Sequence, residues 1–197
     1  MKFGEFLDSA VQRMGDHGVS VQLKPKMWVD GSCGNFDGAT FKVALKHPKW
    51  RETFLHEYCH FLQELDERAR RAVNYPFRGY TASTRWSSWM SGSLELSPRA
   101  LQRLRQGLQL MERDCDQRAL RLARRLKLPI DLDQYTREAN IYHLFYTVVE
   151  RHRQWNRRSL VTAAPELLTM VPGNRLCRDY ENLPEGFEEA IVTKCLR

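Results

Sequence analysis

The chain has 197 residues, 42% of them hydrophobic and 28% charged, which describes an ordered globule with a buried core rather than a disordered chain. Its formal net charge of +7 leaves an anionic partner open, nucleic acid included, yet Arg99, Arg103, Arg105, Arg121, Arg124 and Arg125 are spread along helical faces and read as a solvated surface. Five cysteines without regular spacing, and no CxxC pair, exclude a disulfide framework and a structural zinc knuckle. No stretch approaches the roughly 20 apolar residues of a membrane span, and acidic residues interrupt the N-terminal segment where a signal sequence needs an apolar core. A single cytoplasmic domain over residues 1–197, with no membrane partner, is the expectation.

In chain order, Phe3, Phe6, Leu7, Ala10, Val11 and Met14 recur at helical spacing, with Gly15 or Gly18 as a stop. Val19, Val21 and Leu23 then alternate with polar residues as a half-buried strand does. Residues 31–38 are turn-like. Phe41, Val43 and Leu45 form a second alternating strand that ends near Pro48, a candidate edge along which a peptide would lie extended. From Trp50 to about Leu65 the spacing is helical, with apolar residues around the whole circumference, so this helix should be buried. Residues 72–96, rich in Tyr, Trp, Ser and Gly, have no clear period and read as a long irregular excursion with room for a hairpin.

Ser97 and Pro98 suit the cap and first position of a long helix whose stripe is Leu101, Leu104, Leu108, Met111, Cys115, Ala119, Leu122 and Leu126. It should end before Pro129. A further helix is expected over 133–155, with Ile141, Leu144, Phe145, Val148 and Val149 inward, and a short one near 185–195. The predicted fold class is α+β: a small N-terminal sheet, a buried helix and a helical C-terminal half.

The residues HEYCH at 56–60 lie on that buried helix. One turn separates His56 from His60, so both imidazoles project from one face and can grip one zinc ion, while Glu57 is rotated by about 100° and can act as catalytic base without binding the metal. Every other position from Thr53 to Leu62 is uncharged. Polar groups in such surroundings need partners, which favours a metal over a chance string. Zinc there would activate a water for attack on a carbonyl.

A catalytic zinc needs a third protein ligand, and three residues compete. Asp66 follows the helix, but a ligand there normally needs a glycine at position 63, where Gln63 stands. His143 would need a different arrangement of elements. Glu112 and Asp116, four residues apart in MERDCDQRA, both border the apolar stripe of their helix, and Glu112 is the preferred ligand.

HExxH followed by ExxxD on a later helix resembles the gluzincin group of zinc peptidases. The resemblance implies a zincin-like fold, Glu112 as third ligand and Asp116 as a partner that orients His56. The blocks RETFLHEYCHFL and ERDCDQRALRLARRLKLP are also similar to ImmA/IrrE-type metallopeptidases, which cleave repressor proteins. The likeness rests on these two blocks. Gluzincins often add a His or Tyr that stabilises the oxyanion, and Tyr142, His143, Tyr146 and His152 are the candidates, His143 first among them. Cys59 and Cys115 should pack beside the site as small apolar groups. Trp86 and Trp89 suit packing better than a substrate cleft, and His17 and His47 suit turns. The expected activity is hydrolysis of a peptide bond in a protein or peptide substrate by zinc-activated water. Its alternatives are a nucleic-acid-associated protein using the basic surface and a catalytically idle zincin-fold interaction module.

Overall fold

The computed structural model describes residues 2–66, 82–156 and 159–196. They form an α+β fold: α1 (Phe3–Asp16), β1 (Ser20–Lys24), β2 (Gly34–Phe36), β3 (Thr40–Ala44), α2 (Trp50–Leu65), α3 (Ala82–Met90), α4 (Pro98–Leu126), α5 (Leu132–His152), α6 (Leu160–Ala163), α7 (Leu167–Met170) and α8 (Phe187–Ile191), with a π-helical turn at Val192–Leu196. The chain divides into two compact units. One comprises residues up to 70 with 115–130, the other 71–114 with 131–197, so α4 contributes to both.

In the first unit α1 begins where the Glu5 carboxylate accepts the Lys2 N–H at 3.0 Å. It stops at His17, and Gly18, at φ +78°, makes the left-handed turn into β1. β1 pairs in parallel with β3, Val21 opposite Phe41, and β2 pairs antiparallel to β3, Asn35 opposite Lys42. β3 is therefore the central strand and not the edge that its alternation suggested. The covering strand, β2, lies inside the stretch 31–38 that reads as a turn. Three residues starting from a glycine carry too little period to announce a strand. That glycine is required: a Cβ on Gly34 would lie 2.7 Å from both Lys42 O and Thr53 Cγ2.

α2 lies against β2 and β3. Phe54 is fully buried, with ring contacts to Phe41 at 5.1 Å, Phe6 at 5.8 Å and Phe3 at 6.2 Å. Such edge-on aromatic pairs add about 0.5–1.5 kcal/mol each beyond the burial of their area. Leu55, Tyr58, Cys59, Phe61 and Gln63 are buried as well, while His56, Glu57 and His60 are only half-buried. The helix is apolar around most of its circumference yet keeps one face partly open, and the motif occupies that face.

The second unit is helical. Trp86 and Trp89 of α3, Leu104 and Leu108 of α4, Ile141, Leu144, Phe145, Val148 and Val149 of α5, and Leu167, Phe187 and Ile191 share one core. α4 begins as expected, with Ser97 Oγ accepting from Ala100 N at 3.3 Å and Ser97 O from Leu101 N at 2.9 Å. α5 is capped by Asp131, whose carboxylate accepts from the N–H groups of Asp133 and Gln134. Residues 82–90 are helical rather than irregular: Ala82, Trp86 and Trp89 give a buried face that Ser-rich flanks hide from a periodicity reading. The first part of the expected excursion, 72–81, lies outside the described residues.

Arg105 is a further correction. It is not on a solvated face but 1% exposed. Its guanidinium donates to Glu150, to Gln109 Oε1 at 2.7 Å, to Thr147 Oγ1 at 3.3 Å and to both oxygens of Glu181 at 2.8 Å. Arg99, Arg103, Arg121, Arg124 and Arg125 are exposed, as read. No helix among the described residues is long and apolar enough to cross a membrane.

Candidate metal centre

His56 and His60 stand one turn apart on α2, their ring centroids 4.7 Å apart and their planes at 86°. Their Nε2 atoms face each other at 3.1 Å. Each ring is held from behind. His56 Nδ1 lies 2.9 Å from Asp116 Oδ1, and His60 Nδ1 lies 2.8 Å from Gln63 Oε1. An ionised carboxylate and an amide oxygen only accept, so each Nδ1 carries the proton and donates it. When both rings are neutral, both Nε2 atoms then present lone pairs to one another.

At 3.1 Å two such lone pairs are reconciled by a proton shared between them or by a metal cation beside them. Tetrahedral zinc with two nitrogen bonds of about 2.0–2.1 Å sets those nitrogens roughly 3.3–3.4 Å apart. The pair fits that ion with a small adjustment. The partners behind the rings, Asp116 at 3% and Gln63 at 5% exposure, are themselves buried, which fixes ring orientation as well as tautomer.

Among the described residues, the metal-competent group is His56, His60 and Cys115, whose ligand atoms lie within 4.8 Å of one another. The Cys115 thiol donates to the backbone carbonyl of His56 at 3.2 Å and lies 3.8 Å from His56 Nδ1. The thiol thus lies close to the Nδ1 edge of His56. Cys59 is fully buried beside this group. Burial first, and then Cys115, push its thiol well above the ordinary range, so it stays a neutral apolar neighbour.

Glu57 is half-buried on the same helix. Cys33, whose Sγ lies 3.2 Å from His47 Nε2, has its thiol raised by burial and next by the charge of Glu57. Asp66 caps the end of α2, and its carboxylate accepts from Arg118 at 2.8 Å. His17 and His47 occupy turns, as read.

Glu112 is 7% exposed and stands one turn before Asp116, so the two share a face of α4; it is counted with the second unit, whose boundary falls between Asp114 and Cys115. His143 is in the second unit and fully buried, with its ring edge-on to Tyr180 at 5.7 Å. Tyr142 and Tyr146 are within 3.4 Å of each other through their hydroxyls, and His152 Nε2 meets Glu188 Oε1 at 2.8 Å. The structure thus gathers His56, His60, Glu57 and Asp116 in one unit and counts Glu112 and His143 with the other.

Sequence reasoning overlooked Gln63 and gave Cys115 a packing role only. Gln63 was noticed as the residue standing where a glycine would allow a turn. Its spacing of three from His60, which puts it on the same helix face, is the signal that would have revealed it as a hydrogen-bond partner. No protein-family model, curated protein or solved structure matches this chain.

Proposed function

We propose that the chain is a zinc-dependent peptidase of gluzincin type, zincin-like in fold and cytoplasmic, that hydrolyses a peptide bond of a protein substrate. The observation that carries this reading is the pair of converging Nε2 atoms, 3.1 Å apart, on rings locked from behind by Asp116 and Gln63. In this reading His56 and His60 hold the metal and Glu112 supplies the third bond. Zinc bound there would lower the pKa of a water toward neutrality and polarise the substrate carbonyl. Glu57 takes the proton of the attacking water and returns it to the departing amine. Asp116 and Gln63 keep the two rings in one tautomer and one orientation.

Two residues are weighed and set aside. Asp66 already serves Arg118, and a ligand at that position would have to give up this ion pair. His143 offers no exposed edge to a substrate, so no oxyanion role is assigned to it.

The test combines elemental analysis with cleavage of an unfolded protein such as casein. The expected result is one zinc per chain and cleavage that disappears in Glu57→Gln while the zinc stays. Cleavage by Glu57→Gln as fast as by the parent would overturn the mechanism. A parent that holds zinc and cleaves nothing would instead favour the idle interaction module.

A further inference from the structure

The first unit carries a second feature, independent of the metal centre. After β1 the chain turns through Pro25–Cys33, and Met27 and Trp28 in this turn are 44% and 53% exposed. They are neighbours in sequence and both large and apolar. Lys24 and Lys26 precede them, and Lys46 is brought alongside by the backbone: Leu45 N donates to Lys24 O at 2.8 Å and Lys46 N to Lys26 O at 3.0 Å. All three lysines are exposed and make no ion pair among the described residues. Asp30, the acidic residue of the same turn, is taken up by Lys42 at 2.7 Å. Trp28 rests on the His47 ring at 5.0 Å, which fixes the indole at the surface.

We propose that this turn docks the protein on an anionic lipid surface, with Met27 and Trp28 entering the boundary between headgroups and acyl chains and Lys24, Lys26 and Lys46 meeting the headgroups. The lysines call for an anionic partner by charge complementarity. Lysine is depleted at protein–protein interfaces, which disfavours a protein partner. A single-stranded nucleic acid would use the indole as a stacking platform but has no use for the adjacent thioether. A bilayer uses both: tryptophan favours the membrane interface, methionine adds apolar area, and the lysine stems reach along the boundary while their charges stay in water. Two apolar side chains beside three basic ones supply the two kinds of attraction that reversible attachment needs.

The experiment sediments the full chain with vesicles of phosphatidylcholine containing about a third phosphatidylserine, and with phosphatidylcholine alone. Binding is expected to the anionic vesicles only, with release at high salt. Each of Lys24→Ala, Lys26→Ala and Lys46→Ala should weaken it roughly fivefold, and Trp28→Ala together with Met27→Ala should abolish it. A blue shift of tryptophan emission on the vesicles should vanish in Trp28→Phe. Equal binding to neutral vesicles, or full binding by the triple lysine variant, would overturn the proposal. So would Trp28-dependent binding of single-stranded oligothymidylate without binding to vesicles, which would hand the surface to nucleic acid. Zinc content should be unchanged in every one of these variants, so a failure here is distinct from a failure of the peptidase reading.

Discussion

Two groups of polar side chains interrupt otherwise apolar helix faces, and they are built in opposite ways. Around Arg105 in the second unit each guanidinium nitrogen meets an acceptor: Glu150, Gln109, Thr147 and both oxygens of Glu181. Donors and acceptors are matched, the arginine is sealed from water, and nothing is left to bind. Around His56 and His60 in the first unit the far side of each ring is matched by Asp116 and Gln63. The near sides, the two Nε2 atoms, converge at 3.1 Å on a half-open face. A buried charge with every donor matched is part of the packing. Two imidazole nitrogens oriented in this way are instead an arrangement that an ion can complete.

The largest effects should come from the open group. On the proposed ligation, in which each ring would supply one of three protein bonds, His56→Ala or His60→Ala should take zinc from one per chain to none, and full occupancy in either variant by elemental analysis would refute the centre. Glu112→Ala should lower zinc affinity sharply in a competitive titration. Glu57→Gln should keep the metal and cut hydrolysis by about 10²- to 10⁴-fold, the usual contribution of a general base.

The closed group should respond in stability alone. Arg105→Met leaves Glu150 and Glu181 without their cation and should cost about 3 kcal/mol, the lower end for a broken buried pair because Glu181 is half-exposed. Thermal melting measures this. Zinc per folded chain should not change, and if it did, the two groups would not be separable as argued. A pH signature accompanies the loss. Hydrogen bonds from Arg105 and then Gln106 hold the Glu181 carboxyl below its usual range. A depressed folded pKa stabilises above the unfolded value and loses that contribution as pH falls through the folded one. The parent should therefore lose stability on acidification below about pH 4.5 more steeply than Arg105→Met, and parallel curves would count against the assignment.

Next in size come the residues behind the rings. Asp116→Ala and Gln63→Ala should each reduce zinc affinity by about 10- to 100-fold, the range for partners of metal-bound histidines. If Gln63→Ala bound zinc as tightly as the parent, the His60 ring would be fixed by helix packing rather than by its hydrogen bond.

These two groups also show where sequence was a sufficient guide. α2 and α4 were legible because apolar residues recur over many turns, and Ser97 with Pro98 marked the start of α4 by local chemistry alone. The motif on α2 was legible because its four-residue spacing is the geometry of the site. Arg105 was not, because it follows Leu104 in a run of exposed arginines and its partners Glu150 and Glu181 lie 45 and 76 residues further along the chain. The central place of β3 was hidden for the same reason: a strand's neighbours depend on pairing with β2, and three residues carry no period of their own.

The smallest effect is expected at Asp66, and it decides most about the family resemblance. Asp66 follows α2 closely enough to compete with Glu112 for the metal, and its carboxylate is 40% exposed. It accepts instead from Arg118 at 2.8 Å, and Arg118 belongs to the stretch of α4 that packs in the same unit as α2. The gap after His60 is not free to turn either: Gln63 is helical, buried and bonded to His60, so the backbone that would have to fold Asp66 back toward the rings is committed to the helix. Asp66→Ala should therefore leave zinc affinity within about twofold of the parent and cost at most about 1 kcal/mol, the worth of a partly exposed ion pair. A zinc titration run beside Glu112→Ala checks both at once. Loss of zinc in Asp66→Ala with retention in Glu112→Ala would make Asp66 the third ligand and remove the chain from the gluzincin pattern. His56, Glu57 and His60 would then be the part of the site that survives.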